Sequence, residues 1–353
     1  MLLKQASFTA LSQCMGIQQG ESCLIITDSV CKEIGECLYE VALDLTTDVT
    51  LLLYPPGNQH GEEPPPDVAA AMLEYDVFLA ATSKSITHTR ARTEATNSGS
   101  RGATLPGITK EVMTKGLCSN YDAIRSTCDD LIRTLQGSKT IRLTSPSGTD
   151  IEFNLGSRSW RSDHGINHNP GDFSNLPAGE VYISPISADG KFIVDGTMMP
   201  HGLLKEPIEF EVSDGYVTYI SDNDIKNQVE IAAKDVGKNA YNLAELGIGT
   251  NLDVVELIGS VLLDEKAAGT VHVAIGDDKG IGGDVEAPLH LDGIIRNPTI
   301  YADGVKISLP SSSNISGSTV FPLLKSLFLR ETVLNVNLYN GCLYLSFFFS
   351  FDL

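Results

Sequence analysis

Over the first part of the chain, short apolar runs alternate with amphipathic segments, and no other feature narrows the fold as much. CLIITD (23–28), VTLLLY (49–54) and YDVFLAAT (75–82) are of strand length and rich in branched residues. VCKEIGECLYEVALDL (30–45), between the first two, is compatible with a helix. Strands that alternate with helices argue for a parallel sheet, because a parallel neighbour is reached only through a crossover. GNQHGEEPPPD (57–67) reads as a loop, since three consecutive prolines continue neither kind of element. Two further helix candidates, TKEVMTKGL and YDAIRSTCDDLIRTLQG, carry this region to about residue 138.

Beyond that point the texture changes. TIRLTSPSGTDIEFNLG, GKFIVDGTM, EPIEFEVSDGYVTYIS and PTIYADGVKIS are alternating runs broken by SGT, DG or SDG, the turn signals of β-hairpins. One helix candidate, NDIKNQVEIAAKDVG (223–237), interrupts them. The expected architecture is an α/β N-terminal domain (1–138), a parallel sheet with flanking helices, followed by an α+β, β-rich C-terminal domain (139–310). Residues 311–353 start with the linker-like SSSNISGS, end in YLSFFFSFDL and follow neither pattern. A docked element and an appendage of uncertain order are both open there, and no function is assigned to it.

Charge and cysteine usage exclude several function classes. A formal net charge of −20 repels a phosphate backbone, and no local basic patch offsets it, so nucleic acid is not an expected partner. Cys14, Cys23, Cys31, Cys37, Cys118, Cys128 and Cys342 form no CxxC pair and fit reduced thiols in a cytoplasmic protein. The first residues lack a secretory apolar core, and no run before residue 320 approaches the roughly 18 apolar residues of a membrane span. A cytoplasmic protein without membrane contact is expected.

Ligand-type residues concentrate in GTVHVAIGDDKGIGGDVEAPLHLDG (269–293), which holds two of the seven histidines. In a strand, residues i and i+2 share a face, so His290 and Asp292 can point together at one ion, with His272 arriving from a neighbouring strand. Upstream, Glu180 in NLPAGEVYISP, Glu245 in NLAELGIGTN and Glu265 in LLDEKAAGT each adjoin apolar, strand-like residues. Carboxylates on segments that enter a core are costly to bury unless paired or bound to metal. Four carboxylates and two imidazoles suit two divalent ions such as Zn²⁺, Mn²⁺, Co²⁺ or Mg²⁺, an arrangement able to hold an activated hydroxide. The blander readings stay open: a glutamate at a strand end usually faces solvent, and His-x-Asp is commonly a hydrogen-bonded turn.

Other chemistries find less support. HExxH, a GxxxxGKS/T loop and a GxSxG elbow are absent, and the first strand–turn–helix lacks the dinucleotide fingerprint. His164 and His168 in SDHGINHNPGDF read as solvated loop histidines ahead of pocket residues. THTRARTEA, with Arg90, Arg92 and Glu94, reads as a salt-bridged helix start ahead of a carboxylate site.

Several motifs taken in order carry a resemblance. THTRARTEATNSGSRGATLPGIT, NLPAGEVYISP, LAELGIGTN, LLDEKAAGTVHVAIGD and GGDVEAPLHLDGIIRNPTIYADG resemble the aminopeptidase T / aminopeptidase S family of metallopeptidases over roughly residues 75–306. The resemblance implies a C-terminal domain with a two-metal site, a homodimer that encloses it, and peptides as substrates. By motif, the metal positions are Glu180, Glu245, Glu265, His272, His290 and Asp292. The implied reaction is release of an N-terminal residue by a metal-activated hydroxide, with Glu265 as proton acceptor. The family has a tyrosine a few residues after its first histidine; here the stretch reads VAIGDDKG, and Lys279 stands about there with a charge suited to an oxyanion.

A branch of the same superfamily resembles 2,5-dihydroxypyridine dioxygenase, a mononuclear iron enzyme whose closing motif also looks like GGxxxxxxHLD. That branch has histidine at the position of Glu245 and lacks the equivalents of Glu180 and His272, so the glutamates favour the two-metal hydrolase. The alternatives are the ring-cleaving iron dioxygenase and a non-catalytic metal-binding relative.

Overall fold

The alternating first region builds a sheet of β1 (Ser22–Asp28), β2 (Asp48–Tyr54), β3 (Val77–Thr82) and β4 (Arg101–Pro106). All are parallel, in the order β2-β1-β3-β4, in a computed structural model that describes residues 1–311 and the short strands Leu338–Tyr339 and Cys342–Leu343. Every residue of β3 is buried, as a central parallel strand covered on both faces requires. Helix α2 (Lys32–Ala42), which follows after α1 (Leu2–Phe8), buries Ile34, Leu38 and Val41, the one-face spacing of an amphipathic helix. Then come α3 (Pro66–Met72), α4 (Arg90–Asn97), α5 (Lys110–Gly116) and α6 (Tyr121–Leu135). Their starts are set locally: the side chains of Thr89, Thr109 and Asn120 cap α4, α5 and α6 by accepting from backbone N–H groups of the first turn.

The hairpin-rich region forms two seven-stranded sheets. The first contains β5 (Thr140–Thr144), β6 (Asp150–Asn154), β10 (Ser187–Val194), β13 (Ile208–Ser213), β14 (Tyr216–Ile220), β18 (Thr299–Ala302) and β19 (Val305–Ile307), ordered β14-β13-β10-β6-β5-β18-β19 and antiparallel throughout. Its turns use the residues expected of them: Asp214–Gly215 and Asp303–Gly304 both have positive φ, the geometry of a tight hairpin that Asp-Gly supplies at low cost. The second contains β7 (Arg161–Asp163), β9 (Glu180–Ile183), β11 (Thr197–Met198), β12 (Gly202–Leu203), β15 (Leu243–Gly249), β16 (Val271–Gly276) and β17 (His290–Ile295), ordered β12-β11-β17-β16-β15-β9-β7. Helices α7 (Asn223–Val236) and α8 (Val261–Asp264) complete the unit.

The first sheet and the buried core both continue past residue 138. Strand β8 (Phe173–Asn175) returns from the second region to pair in parallel with β4 as the edge of the first sheet. A single buried cluster runs from Ile25 and Leu38 through Tyr121 to Phe153, Val181 and Leu246. Residues 1–311 accordingly form one compact unit. Apart from the two short strands, the C-terminal segment 312–353 lies outside the described residues. No helix among the described residues is long and apolar enough to cross a membrane.

Candidate metal centre

One face of the second seven-stranded sheet carries most of the candidate ligands, and its registers explain how. Glu245 of β15 lies opposite Ala274 of β16, which lies opposite Asp292 of β17; Gly247 lies opposite His272, and Gly276 opposite His290. On the other side Gly249 faces Glu180 of β9, Glu180 faces Asp163 of β7, and Gly247 faces Tyr182. Residues directly opposite in an antiparallel ladder share a face, as do i and i+2 along a strand. Asp163, Glu180, Tyr182, Glu245, His272, His290 and Asp292 therefore stand on one side, and Gly247, Gly249, Ala274 and Gly276 fill the positions between them. This floor is bare for a reason: a Cβ at Gly247 would overlap Nε2 of His272.

Gly249 plays a second part. A side chain there would strike the backbone at Lys266 and Ala267, so its absence lets the turn after α8 cross the sheet. That turn delivers Glu265 and Lys266 onto the same face. It is pinned by the Lys266 N–H donating to Leu263 O (3.0 Å) and the Asn251 N–H donating to Lys266 O (2.8 Å).

The ligand-type atoms meet in two overlapping groups, Glu180–Glu245–His272 and Glu245–His290–Asp292, each with its donor atoms within 4.8 Å of one another. His272 Nε2 is 3.3 Å from Glu180 Oε2 and 3.4 Å from Glu245 Oε1; His290 Nε2 is 3.2 Å from Glu245 Oε2 and 3.4 Å from Asp292 Oδ1. Glu180 Oε2 and His272 Nδ1 are buried without a hydrogen-bond partner. Two carboxylates and one imidazole per group form an oxygen-rich set that fits a divalent ion of the Mn²⁺ or Fe²⁺ type. The residues therefore fit a metal.

The electrostatics follow from crowding charge away from water. Burial pushes the Glu245 carboxyl up, but hydrogen bonds from His272 and His290 outweigh it and hold the group well below the usual carboxylate range. Burial lowers the His272 imidazole, yet Glu245 and Glu180 bring it up to about 9; the His290 imidazole is also raised well above its ordinary value, by Asp292 and Glu245. The carboxylates that strengthen proton binding strengthen cation binding too, so a divalent ion and the imidazole protons compete for the same places. Burial raises Glu265 to about 7 and Asp163 to about 6, opposed in both by Lys266.

Above this floor lies a cavity of about 440 Å³. Its far wall comes from the parallel sheet: Thr87, His88 and Arg92 follow the C-terminal end of β3, and Phe173 and Asn175 belong to β8. Crevices beyond the carboxyl ends of parallel strands are where such sheets bind ligands. Arg92 lies 4.2 Å over the Phe173 ring and donates through Nε to Thr87 O (2.7 Å). Burial lowers the His88 imidazole, helped by Arg92 and His290, so it is neutral near neutral pH.

The predicted residues separate into three groups. Glu180, Glu245, His272, His290 and Asp292 converge in the two donor groups. Glu265 lines the cavity but falls in neither; its Oε1 lies 2.7 Å from Lys266 Nζ. Lys279 is the departure: it pairs with Glu286 at the surface and does not line the cavity, because the short helical turn at Lys279–Ile281 presents Gly280 and Ile281 instead. Arg90 does pair with Glu94, as a salt-bridged helix start requires, whereas Arg92 on the same helix turns into the cavity. His164 lines the cavity and His168 bonds to Gln13 O. Lys266 and Asp163 received no role from the sequence. A lysine beside a ligand-type glutamate in the otherwise small, apolar AAG context was the available signal for Lys266.

A family model described as 2,5-dihydroxypyridine 5,6-dioxygenase matches residues 9–310, and the chain belongs to that family. The curated 2,5-dihydroxypyridine 5,6-dioxygenase of Pseudomonas putida is 23% identical over 189 residues, 50% of this chain and 54% of that protein, so the match spans about half the relative's length. Among solved structures, 2,5-dihydroxypyridine dioxygenase from Pseudomonas putida aligns with TM-score 0.71 at 18% identity, covering 87% of this chain and 95% of that one. Wild-type AmpT from Thermus thermophilus aligns with TM-score 0.63 at 16% identity, covering 87% and 96%. Both share the fold, the α/β region followed by the antiparallel β-rich region. The family match overturns the expectation of an aminopeptidase, a peptide hydrolase. The ordered motifs mark a scaffold common to both kinds of structure, and the three glutamates were given more weight in choosing between them than they bear.

Proposed function

We propose that this protein is a metal-dependent dioxygenase that opens the ring of a hydroxylated aromatic or heteroaromatic compound. The observation that carries the reading is the juxtaposition, in one cavity of about 440 Å³, of the Glu245–His290–Asp292 donor group and Tyr182 on the floor with a wall that includes Phe173, His88 and Arg92. The family assignment points the same way, and the catalytic ion would be held by Glu245, His290 and Asp292. An ion such as Fe²⁺ supplies the dioxygen chemistry that side chains lack.

The chain's own groups do the rest. Tyr182 offers an aromatic surface to a flat ring, while Phe173 carries Arg92 over its own ring. Among the described residues Arg92 forms no ion pair with a carboxylate, and it lines the cavity, where its guanidinium can meet an anionic ring oxygen. His88 accepts the proton of a ring hydroxyl on one imidazole nitrogen, which its lowered pKa keeps free. The test is oxygen uptake by the Fe²⁺-loaded protein, prepared without oxygen, against a panel of dihydroxylated pyridines and benzenes, with loss of the ring absorbance followed in parallel. Uptake matched one to one by ring loss is expected. A bound ion with no uptake on any ring would sink the reading and favour a non-catalytic metal-binding relative.

A further inference from the structure

Glu180 and Glu265, two of the three glutamates expected as ligands, already have a cation between them. Lys266 Nζ lies 2.6 Å from Glu180 Oε1 and 2.7 Å from Glu265 Oε1, and its side chain is 2% exposed. We propose that the Lys266 ammonium, held between Glu180 and Glu265, keeps a second divalent ion out of the Glu180–Glu245–His272 group, so that each chain binds one divalent ion, at Glu245, His290 and Asp292. The proposal rests on the metal-site reading above and fixes its stoichiometry.

Four observations support it. Two donor groups sharing a carboxylate are the geometry that can hold two ions, so an explanation is needed if only one binds. The ammonium is held by its own bonds to Glu180 and Glu265 on a side chain that is 2% exposed, and the backbone that carries it is pinned on both sides. A second divalent ion would have to share Glu180 with that ammonium in a desolvated space, where like charges repel strongly. Among the described residues the Glu245–His290–Asp292 group has no such resident, and the His290 side chain is 30% exposed. A dinuclear donor set is thereby reduced to a mononuclear one, which reconciles these glutamates with a dioxygenase family.

The experiment measures metal content and is independent of turnover. The full chain is stripped with a chelator, equilibrated with excess Mn²⁺, and read by elemental analysis, calorimetric titration and EPR. The expected result is one ion per chain with an uncoupled Mn²⁺ spectrum in the wild type and in Lys266→Arg, rising to two ions in Lys266→Met. Two ions or a spin-coupled spectrum in the wild type would overturn the proposal, as would one ion in a folded Lys266→Met. If Lys266→Met does not fold, the wild-type stoichiometry and spectrum decide. One ion without oxygen uptake defeats the functional reading alone; two ions with uptake defeats this proposal alone.

Discussion

The two seven-stranded antiparallel sheets come from similar-looking sequence and are used in opposite ways. In the β5–β6–β10–β13 sheet, burial alternates along the strand: Ile208, Phe210 and Val212 are buried, while Glu211 and Ser213 are exposed. Its charged residues pair in water, as Arg142 does with Asp150. In the β9–β15–β16 sheet, β15 and β16 are buried along their whole length, and they carry Glu245 and His272 inside. A charge on a half-exposed strand needs no explanation, whereas a charge on a strand covered on both faces does. Burial on both faces sets β15 and β16 apart from the other sheet, while β17 brings His290 and Asp292 to their more open end.

This contrast can be broken by substitution, and the largest effect falls on the sheet without chemistry. Phe210 is fully buried and stacks on Phe192 with ring centroids 4.5 Å apart. Phe210→Ala should cost about 3–5 kcal/mol of stability in denaturant titration and leave Mn²⁺ affinity unchanged. A parallel loss of metal binding would mean that the two sheets are not separable. Next comes Glu245→Gln, which removes the carboxylate shared by both donor groups. Outer-shell changes alone cost 10–100-fold in metal affinity, so a loss of about 100-fold or more is expected, equivalent to about 2.7 kcal/mol. Calorimetry with Mn²⁺ reads it, and a change below threefold would remove Glu245 from the site. The smallest effect belongs to Arg142→Ala: its pair with Asp150 is half exposed, and exposed pairs contribute about 0–1 kcal/mol. A Tm shift implying more than that would show that this sheet also uses charge structurally.

Much of the scaffold was legible locally. Branched apolar runs marked β1, β2 and β3, and Asp-Gly pairs marked the β13–β14 and β18–β19 turns, because periodicity and turn chemistry are properties of neighbouring residues. The ligand-type residues were legible one at a time for the same reason: carboxylates among Leu, Val and Ile are conspicuous. Lys266 was not legible as a partner of Glu180, which lies 86 positions away, and only the β9–β15 register and the missing side chain of Gly249 bring them together. Nor could the sequence show that β8 joins the parallel sheet and brings Phe173 to Arg92. The class of reaction was misread because the motifs describe the floor and its strands, which structures with different names share.

The bare floor of Gly247, Gly249, Ala274 and Gly276 has an evolutionary consequence. Because three of these positions hold no side chain and the fourth only a methyl group, whatever stands beside them is exchangeable one residue at a time without a shift in the backbone. Reactivity on such a platform is a matter of furnishing, open to drift and recruitment, while the platform itself admits almost no mutation. Lineages built on it are thus expected to diverge in chemistry sooner than in shape.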